Sequence, residues 1–412
     1  MKNLLLSFTL ALLATVANSQ TNEFAWRYNH SNHTATLISY EHKHKHGDLD
    51  VKCSCHCYRG DVVVPSVASN GYTVTGIGML CFSETEENNL ITSVKLPSTL
   101  VTIEEQAFSN CNLVKELRIP ASVLRMEDGS IIGCNALEKV YFEDSDELIT
   151  VGCNAIAGSI LMGIETLRYV YVGRNFTVNN PSADELVQGK GLFHGCEKIE
   201  HVVFGDKVTT LHEGECYDCK ALKEVGIGAN ITTIPQKCFQ GCESLYYVAN
   251  PAHSVTTISD YAFADFATTG TINLNFFQDL RTIGEGAFMN SLASKVVIPS
   301  KVESIGDYAF GFMPNLTEFH SQAPNPPFCS VFGPFSDDEY STCTLYVPNG
   351  SLRVYQNADG WKNFFNFGVS SGINGMVADT PSDSEWFTLG GQRTTTPQKG
   401  LYVVGGKKVL KK

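Results

Sequence analysis

Apolar positions return along this chain in a fixed order about every 23 residues. The order is clearest at residues 222–242, L-K-E-V-G-I-G-A-N-I-T-T-I-P-Q-K-C-F-Q-G-C, and it recurs at 94–111, 117–134, 202–219, 248–266 and 296–313. Each copy opens on a short alternation of apolar and polar residues, such as E-L-R-I-P at 116–120, K-V-Y-F at 139–142 and K-V-V-I-P at 295–299. That period of two predicts a strand with one face inward and one outward. A second apolar pair follows, such as Val302 and Ile305, and then G-D-Y-A-F at 306–310. Gly-Asp suits a turn, and the Ala-Phe pair predicts one helical turn with its ring pointing inward. The anchor at this place is Phe82, Phe108, Ile131, Ile156, Phe193, Cys216, Phe239, Phe263, Phe288 or Phe310. Self-similarity at this period is the signature of a solenoid. One such coil cannot bury its apolar side alone, so about ten coils must stack and share a core.

The ends differ from the middle. Residues 1–19 read as a signal peptide: Lys2, an apolar run at 4–16, then small residues at the cleavage site before Gln20. That run is too short for a membrane span, and no later segment reaches its length. Residues 20–71 carry alternating strands without the repeat and read as a β cap for the first coil. The array follows at 72–320, with a loop insertion near 179–191, and a C-terminal cap at 321–369 carries Trp361, Phe364, Phe365 and Phe367. Residues 370–384 are polar and rich in Gly, Ser and Asp, which predicts a linker, and 385–412 read as a small β tail.

The net charge of −13 excludes a basic footprint for nucleic acid or anionic membranes. No Gly-x-Ser-x-Gly, His-Glu-x-x-His or phosphate-binding glycine loop occurs, so the chain reads as a binding protein rather than an enzyme. The 14 cysteines in a secreted chain first suggest bridges. Yet Cys111, Cys134, Cys196, Cys219 and Cys242 share one repeat slot that elsewhere holds Ser159, Phe266, Ser291 or Met313. A slot accepting all of these is a packing slot for buried thiols. Bridges between neighbouring coils are the alternative, since stacked strands lie within disulfide reach. Cys329 and Cys343 stand outside the ladder and form the best candidate pair.

Two surfaces carry candidate chemistry. With Val140, Val170, Val202 and Val225 inward, one outward column holds Lys95, Arg118, Tyr141, Tyr171 and Val203, and its neighbour holds Glu116, Lys139, Tyr169, His201, Glu224 and Tyr247. Tyr141, Tyr169, Tyr171, His201 and Tyr247 then cluster on the exposed sheet. Tyrosine gives large contact area at low entropic cost, so this predicts a partner-binding face. Aromatic pairing across strands for its own sake is the competing reading. The second surface is H-K-H-K-H at 42–46 followed by C-S-C-H-C at 53–57. In a hairpin with residues 47–52 as the loop, His42, His44 and His46 share a face with Cys53, Cys55 and Cys57. Imidazole and thiolate are ligands for zinc or copper, so a metal-binding surface protein is the alternative function.

The phrase I-P-x-x-V-x-x-I-G-x-x-A-F-x-x-C, as at 298–310 and 96–111, resembles the BspA-like leucine-rich repeats of bacterial surface proteins. The resemblance covers about residues 60–367 and fails at Ile131 and Ile132, where Ala-Phe is expected, and across the inserted coil. Residues 387–404 are similar to C-terminal segments of secreted Bacteroidetes proteins, some of which direct export or attachment. The resemblance implies a leucine-rich-repeat solenoid, a right-handed superhelix of strands and short helical turns. It also implies a secreted or outer-surface location, adhesion to protein or glycan partners, and no catalytic residues or resident cofactor.

Overall fold

Strand forms where the alternation sets it, because a polar residue between two apolar ones keeps one edge of the pleat wet while the other is buried. Lys139–Phe142 runs exposed, buried, half-buried, buried, and Tyr169–Val172 and His201–Phe204 repeat the same beat. The structure is a computed structural model. It describes residues 24–39, 42–46, 49–53, 58–83, 91–152, 161, 163–179, 191–250, 252–330 and 332–370, and the strands Trp386–Thr388, Arg393–Thr394, Gly400–Val404 and Lys407–Lys411. In 42–46, 49–53 and the strands after 385 only the backbone is described. Two compact units are formed, the first from residues 1–208 with 218–222 and the second from 209–217 with 223–412.

In the first unit Glu116–Ile119, Lys139–Phe142, Tyr169–Val172 and His201–Phe204 pair in parallel, so that Leu117, Val140, Val170 and Val202 fall in one inward row. All four are at most 1% exposed. A second ladder in the same unit stacks Thr73–Ile77, Thr102–Ile103, Arg125–Met126, Ile149–Gly152 and Phe176–Asn179 in parallel. It begins with the hairpin of Ala25–Asn29 and Thr34–Ile38, whose second strand pairs in parallel with Thr73–Ile77. Each coil thus donates one strand to each ladder, and its apolar pair faces the space between them.

The second unit repeats the plan. Thr233–Ile234, Thr257–Ile258, Thr282–Ile283 and Ser304–Ile305 form one parallel ladder. Thr271–Asn273, Lys295–Ile298, Glu318–Ser321, Thr344–Pro348 and Asn366–Ser370 form another. Between them Phe239, Phe263, Phe288, Phe310 and Phe335 make a column of stacked rings 5.2, 5.3, 5.4 and 5.9 Å apart. Trp361 is fully buried and its indole N–H donates to the Pro327 carbonyl at 2.8 Å. Phe364 is buried beside it, whereas Phe365 faces water at 78% exposure. The last four strands form an antiparallel sheet of their own.

Every described anchor is buried, Phe82, Phe108, Ile131, Phe193, Cys216, Phe239, Phe263, Phe288 and Phe310 being at most 3% exposed; Ile156 lies outside the described residues. The segment around each anchor is a run of hydrogen-bonded turns instead of a helical turn. The cause is a left-handed residue on either side of the anchor, as at Gln106 (φ 51°) and Asn110 (φ 60°) around Phe108, and Tyr308 (φ 53°) and Phe312 (φ 56°) around Phe310. Left-handed backbone cannot continue a right-handed helix. The left-handed place in G-D-Y-A-F is therefore Tyr308, two residues beyond the glycine that suggested the turn.

The packing slot holds as expected. All ten cysteines whose side chains are described are buried thiols. Sγ of Cys111, Cys134, Cys219 and Cys242 lies 3.4, 2.9, 3.0 and 3.1 Å from the carbonyl oxygens of Phe82, Phe108, Phe193 and Cys216. Each thiol so closes a bond to the anchor of the preceding coil. The Cys329–Cys343 bridge is not formed. Cys329 packs against Gly360, where an added Cβ would come within 2.8 Å of its own Cβ. Cys343 ends the helix Asp337–Thr342, its N–H donating to the Glu339 carbonyl at 2.9 Å. Burial pushes both thiols up to about 12.

Candidate binding face

The parallel registers bring three of the four predicted tyrosines together on the first unit. Tyr169 stands beside Lys139 and His201, and Tyr171 beside Tyr141 and Val203. Arg118 is next in the Tyr141 row and Glu116 next in the Lys139 row. All of these side chains are exposed or half-buried. The Tyr141 and Tyr169 rings pack at 5.5 Å between centroids, tilted by 44°. The Arg118 guanidinium sits 4.0 Å from the centre of the Tyr141 ring, and Glu116 holds that guanidinium at 2.8 Å.

Tyr171 reaches the rim, where its hydroxyl donates to Oδ1 of Asp144 at 2.6 Å. Its ring crosses Gly205, and a Cβ there would lie 2.4 Å from the phenol oxygen. Any side chain at 205 would evict the ring, so this glycine sets the edge of the face. Beyond it Lys207 pairs with Asp146 at 2.7 Å.

The phenols resist ionisation. Burial first, then the charge on Glu116, raises Tyr141, with Arg118 opposing. Burial, then the bond to Asp144, raises Tyr171. Burial, then neighbouring Tyr141, pushes Tyr169 up to about 12. Free tyrosine titrates near ~10, so the fold favours the neutral phenol of Tyr169, and this share of stability is lost as pH climbs from ~10 toward ~12. A spectrophotometric titration of wild type minus Tyr169→Phe is expected to show one phenol with a midpoint of about 12; a midpoint near ~10 would contradict the packing.

Tyr247 belongs to the second unit, beside Glu224 in the register of Tyr247–Ala249 with Glu224–Gly226, and is 46% exposed. That unit carries a further aromatic row. His320 stacks on Tyr346 at 4.4 Å with planes 10° apart, and Glu318 binds Lys295 and His320, each at 2.9 Å. The alternation T-L-Y-V-P at 344–348 signalled the strand, but the ring pair becomes visible only when Glu318–Ser321 is placed beside it. Asp144, Gly205 and the His320–Tyr346 pair were all missed by sequence reading.

The His/Cys hairpin is tighter than expected. His42–His46 pairs antiparallel with Leu49–Cys53, setting His42 opposite Cys53, His44 opposite Val51 and His46 opposite Leu49. Residues 49–52, expected in the loop, are strand, because the connection needs only the two residues between the strands. On this register His42 alone of the three histidines faces a cysteine. Cys55 and Cys57, and the side chains of both strands, lie outside the described residues. Among the described residues no group of three or more His, Cys, Asp and Glu is placed to hold a metal ion.

Stacked parallel coils with an anchored core and an exposed strand face define a leucine-rich-repeat solenoid. The sequence model of the BspA type leucine rich repeat region matches residues 57–172 and 187–317 in six copies, and the chain belongs to that family. Among solved structures, a leucine rich cell surface protein from Faecalibacterium prausnitzii A2-165 is 17% identical, with 86% of this chain and 95% of that chain covered and a TM-score of 0.38. A leucine-rich repeat protein from Bacteroides ovatus ATCC 8483 is 16% identical, with 86% and 100% covered and a TM-score of 0.27. The leucine rich repeat protein of T. pallidum is 16% identical, with 59% and 86% covered and a TM-score of 0.32. No curated protein matches the chain. Among the described residues no helix is long and apolar enough to cross a membrane.

Proposed function

We propose that this is a secreted or outer-surface protein that binds partners, without catalysis, on the strand face of its first unit. The observation that carries the reading is the contiguous aromatic row, in which Tyr141, Tyr169 and Tyr171 stand beside Arg118 and His201 on adjacent strands. Large rings held by their neighbours have little freedom to lose on contact, which is how a few residues come to dominate an interface. Membership of a leucine-rich-repeat family supports a binding role, and the signal-like segment at 1–19, outside the described residues, supports export. Partners are protein or glycan.

Capture tests the reading. Immobilised full-length protein is offered extracellular proteins, glycans and intact cells, and the capture is repeated with Tyr141→Ala/Tyr171→Ala. Loss of two central rings is expected to weaken the captured partner by about 2 kcal/mol or more, roughly thirtyfold. The melting temperature should stay near that of wild type, since both rings are partly solvated. A partner held equally by both proteins would place binding elsewhere.

A further inference from the structure

The two rims of the tyrosine face differ in charge. At the end where its strands begin, charges pair off between coils: Lys115 with Glu138 at 3.3 Å, Arg168 with Glu200 at 3.6 Å and Lys198 with Glu165 at 3.8 Å. At the end where Lys139–Phe142 and His201–Phe204 finish, Glu143, Asp144, Asp146, Glu147 and Asp206 are all exposed, and Lys207 is the one cation within 143–147 and 205–207. Arg174, the other cation nearby, is buried and turned to backbone carbonyls. The acidic rim adjoins the rings directly, since Asp144 accepts the Tyr171 hydroxyl and Asp206 lies close enough to raise that phenol. The face also displays within its own structure how a cation sits on it, with the Arg118 guanidinium over Tyr141.

Resting on the binding reading above, we propose that the partner segment is a basic stretch of polypeptide. Its Lys or Arg side chains lie on Tyr169 and Tyr171 and end at Asp144 and Asp206. A ring face attracts a cation through its quadrupole, and a neighbouring carboxylate completes the contact. Neutral sugars would use the rings but not the rim charge, and anionic glycans would be repelled by it. A chain of net charge −13 also steers a basic partner inward over distances set by ionic strength.

The test uses the full chain with an oligo-lysine peptide, an oligo-arginine peptide and neutral oligosaccharides as probes. The basic peptides are expected to bind, to weaken as salt rises, and to compete with the captured partner. Asp144→Asn/Asp206→Asn should lose about tenfold in affinity, while Glu243→Gln/Asp338→Asn in the second unit, removing the same charge, should lose none. Asp206→Asn alone, which leaves the Tyr171 bond in place, should lose part of it. Equal losses from both double variants would mean diffuse attraction and overturn the proposal. So would a partner that only sugars displace. If the captured partner is released by Tyr141→Ala/Tyr171→Ala but retained by Asp144→Asn/Asp206→Asn, the basic-segment proposal fails and the binding face stands. If both variants retain it, both readings fail.

Discussion

Phe288→Ala is expected to lower the free energy of unfolding by about 3–5 kcal/mol, the range for emptying a buried phenylalanine site. The ring is 2% exposed and lies parallel to Phe263 and Phe310, 5.3 and 5.4 Å away with planes 2° apart. Removing it takes contacts from both neighbouring coils at once, and the flat backbone ladders on either side hold the gap open. In a stack where each coil leans only on its neighbours, the loss divides the column and broadens the transition. Phe288→Leu refills most of the volume and should cost less than half as much. Calorimetric unfolding of the two variants checks this, and equal small losses would mean the column bears little of the stability.

Arg174→Ala should cost a comparable amount, about 3 kcal/mol or more, for a different reason. Arg174 is 1% exposed, and its guanidinium donates to the Glu147 carbonyl at 2.7 and 3.0 Å and to the Ala121 carbonyl at 2.7 Å. These carbonyls belong to chain segments that follow two successive strands of the face, so the side chain ties both to its own coil. Alanine empties a buried site and leaves both part-buried acceptors without their donor, at about 1–3 kcal/mol each. Arg174→Lys should recover only part, because an ammonium on a single stem cannot present the planar fork that reaches both. Denaturant unfolding ranks the three proteins, and a lysine variant as stable as wild type would contradict the fork.

How much of this was legible depends on the distance over which each feature is decided. The anchors and the inward rows are set by local alternation repeated at a fixed period, so the phase read from Val140, Val170 and Val202 also placed Tyr169 beside His201. The left-handed positions were hidden because Gln106, Lys237 and Tyr308 do not advertise positive φ as glycine does; the coil above and below imposes it. Arg174 carries no local sequence signal of burial, because two other coils supply its acceptors. Tyr171 and Asp144 are 27 residues apart and meet only because one coil returns beside another. The Cys329–Cys343 pair failed because each residue has its own setting, Cys329 against Gly360 and Cys343 at the end of the helix Asp337–Thr342. At 42–53 the alternation predicts the strands but too long a loop, since turn length is decided by strand pairing rather than by the alternation.

The separation of a sealed interior from a displayed face is most directly tested by alkylating two adjacent positions of one strand, Lys139→Cys and Val140→Cys, in the native protein with site-resolved detection. Lys139 is exposed and Val140 fully buried, so the first cysteine should label at once. The second should label only after denaturation, together with the ten buried native thiols. Equal labelling of both positions in the folded protein would contradict the account.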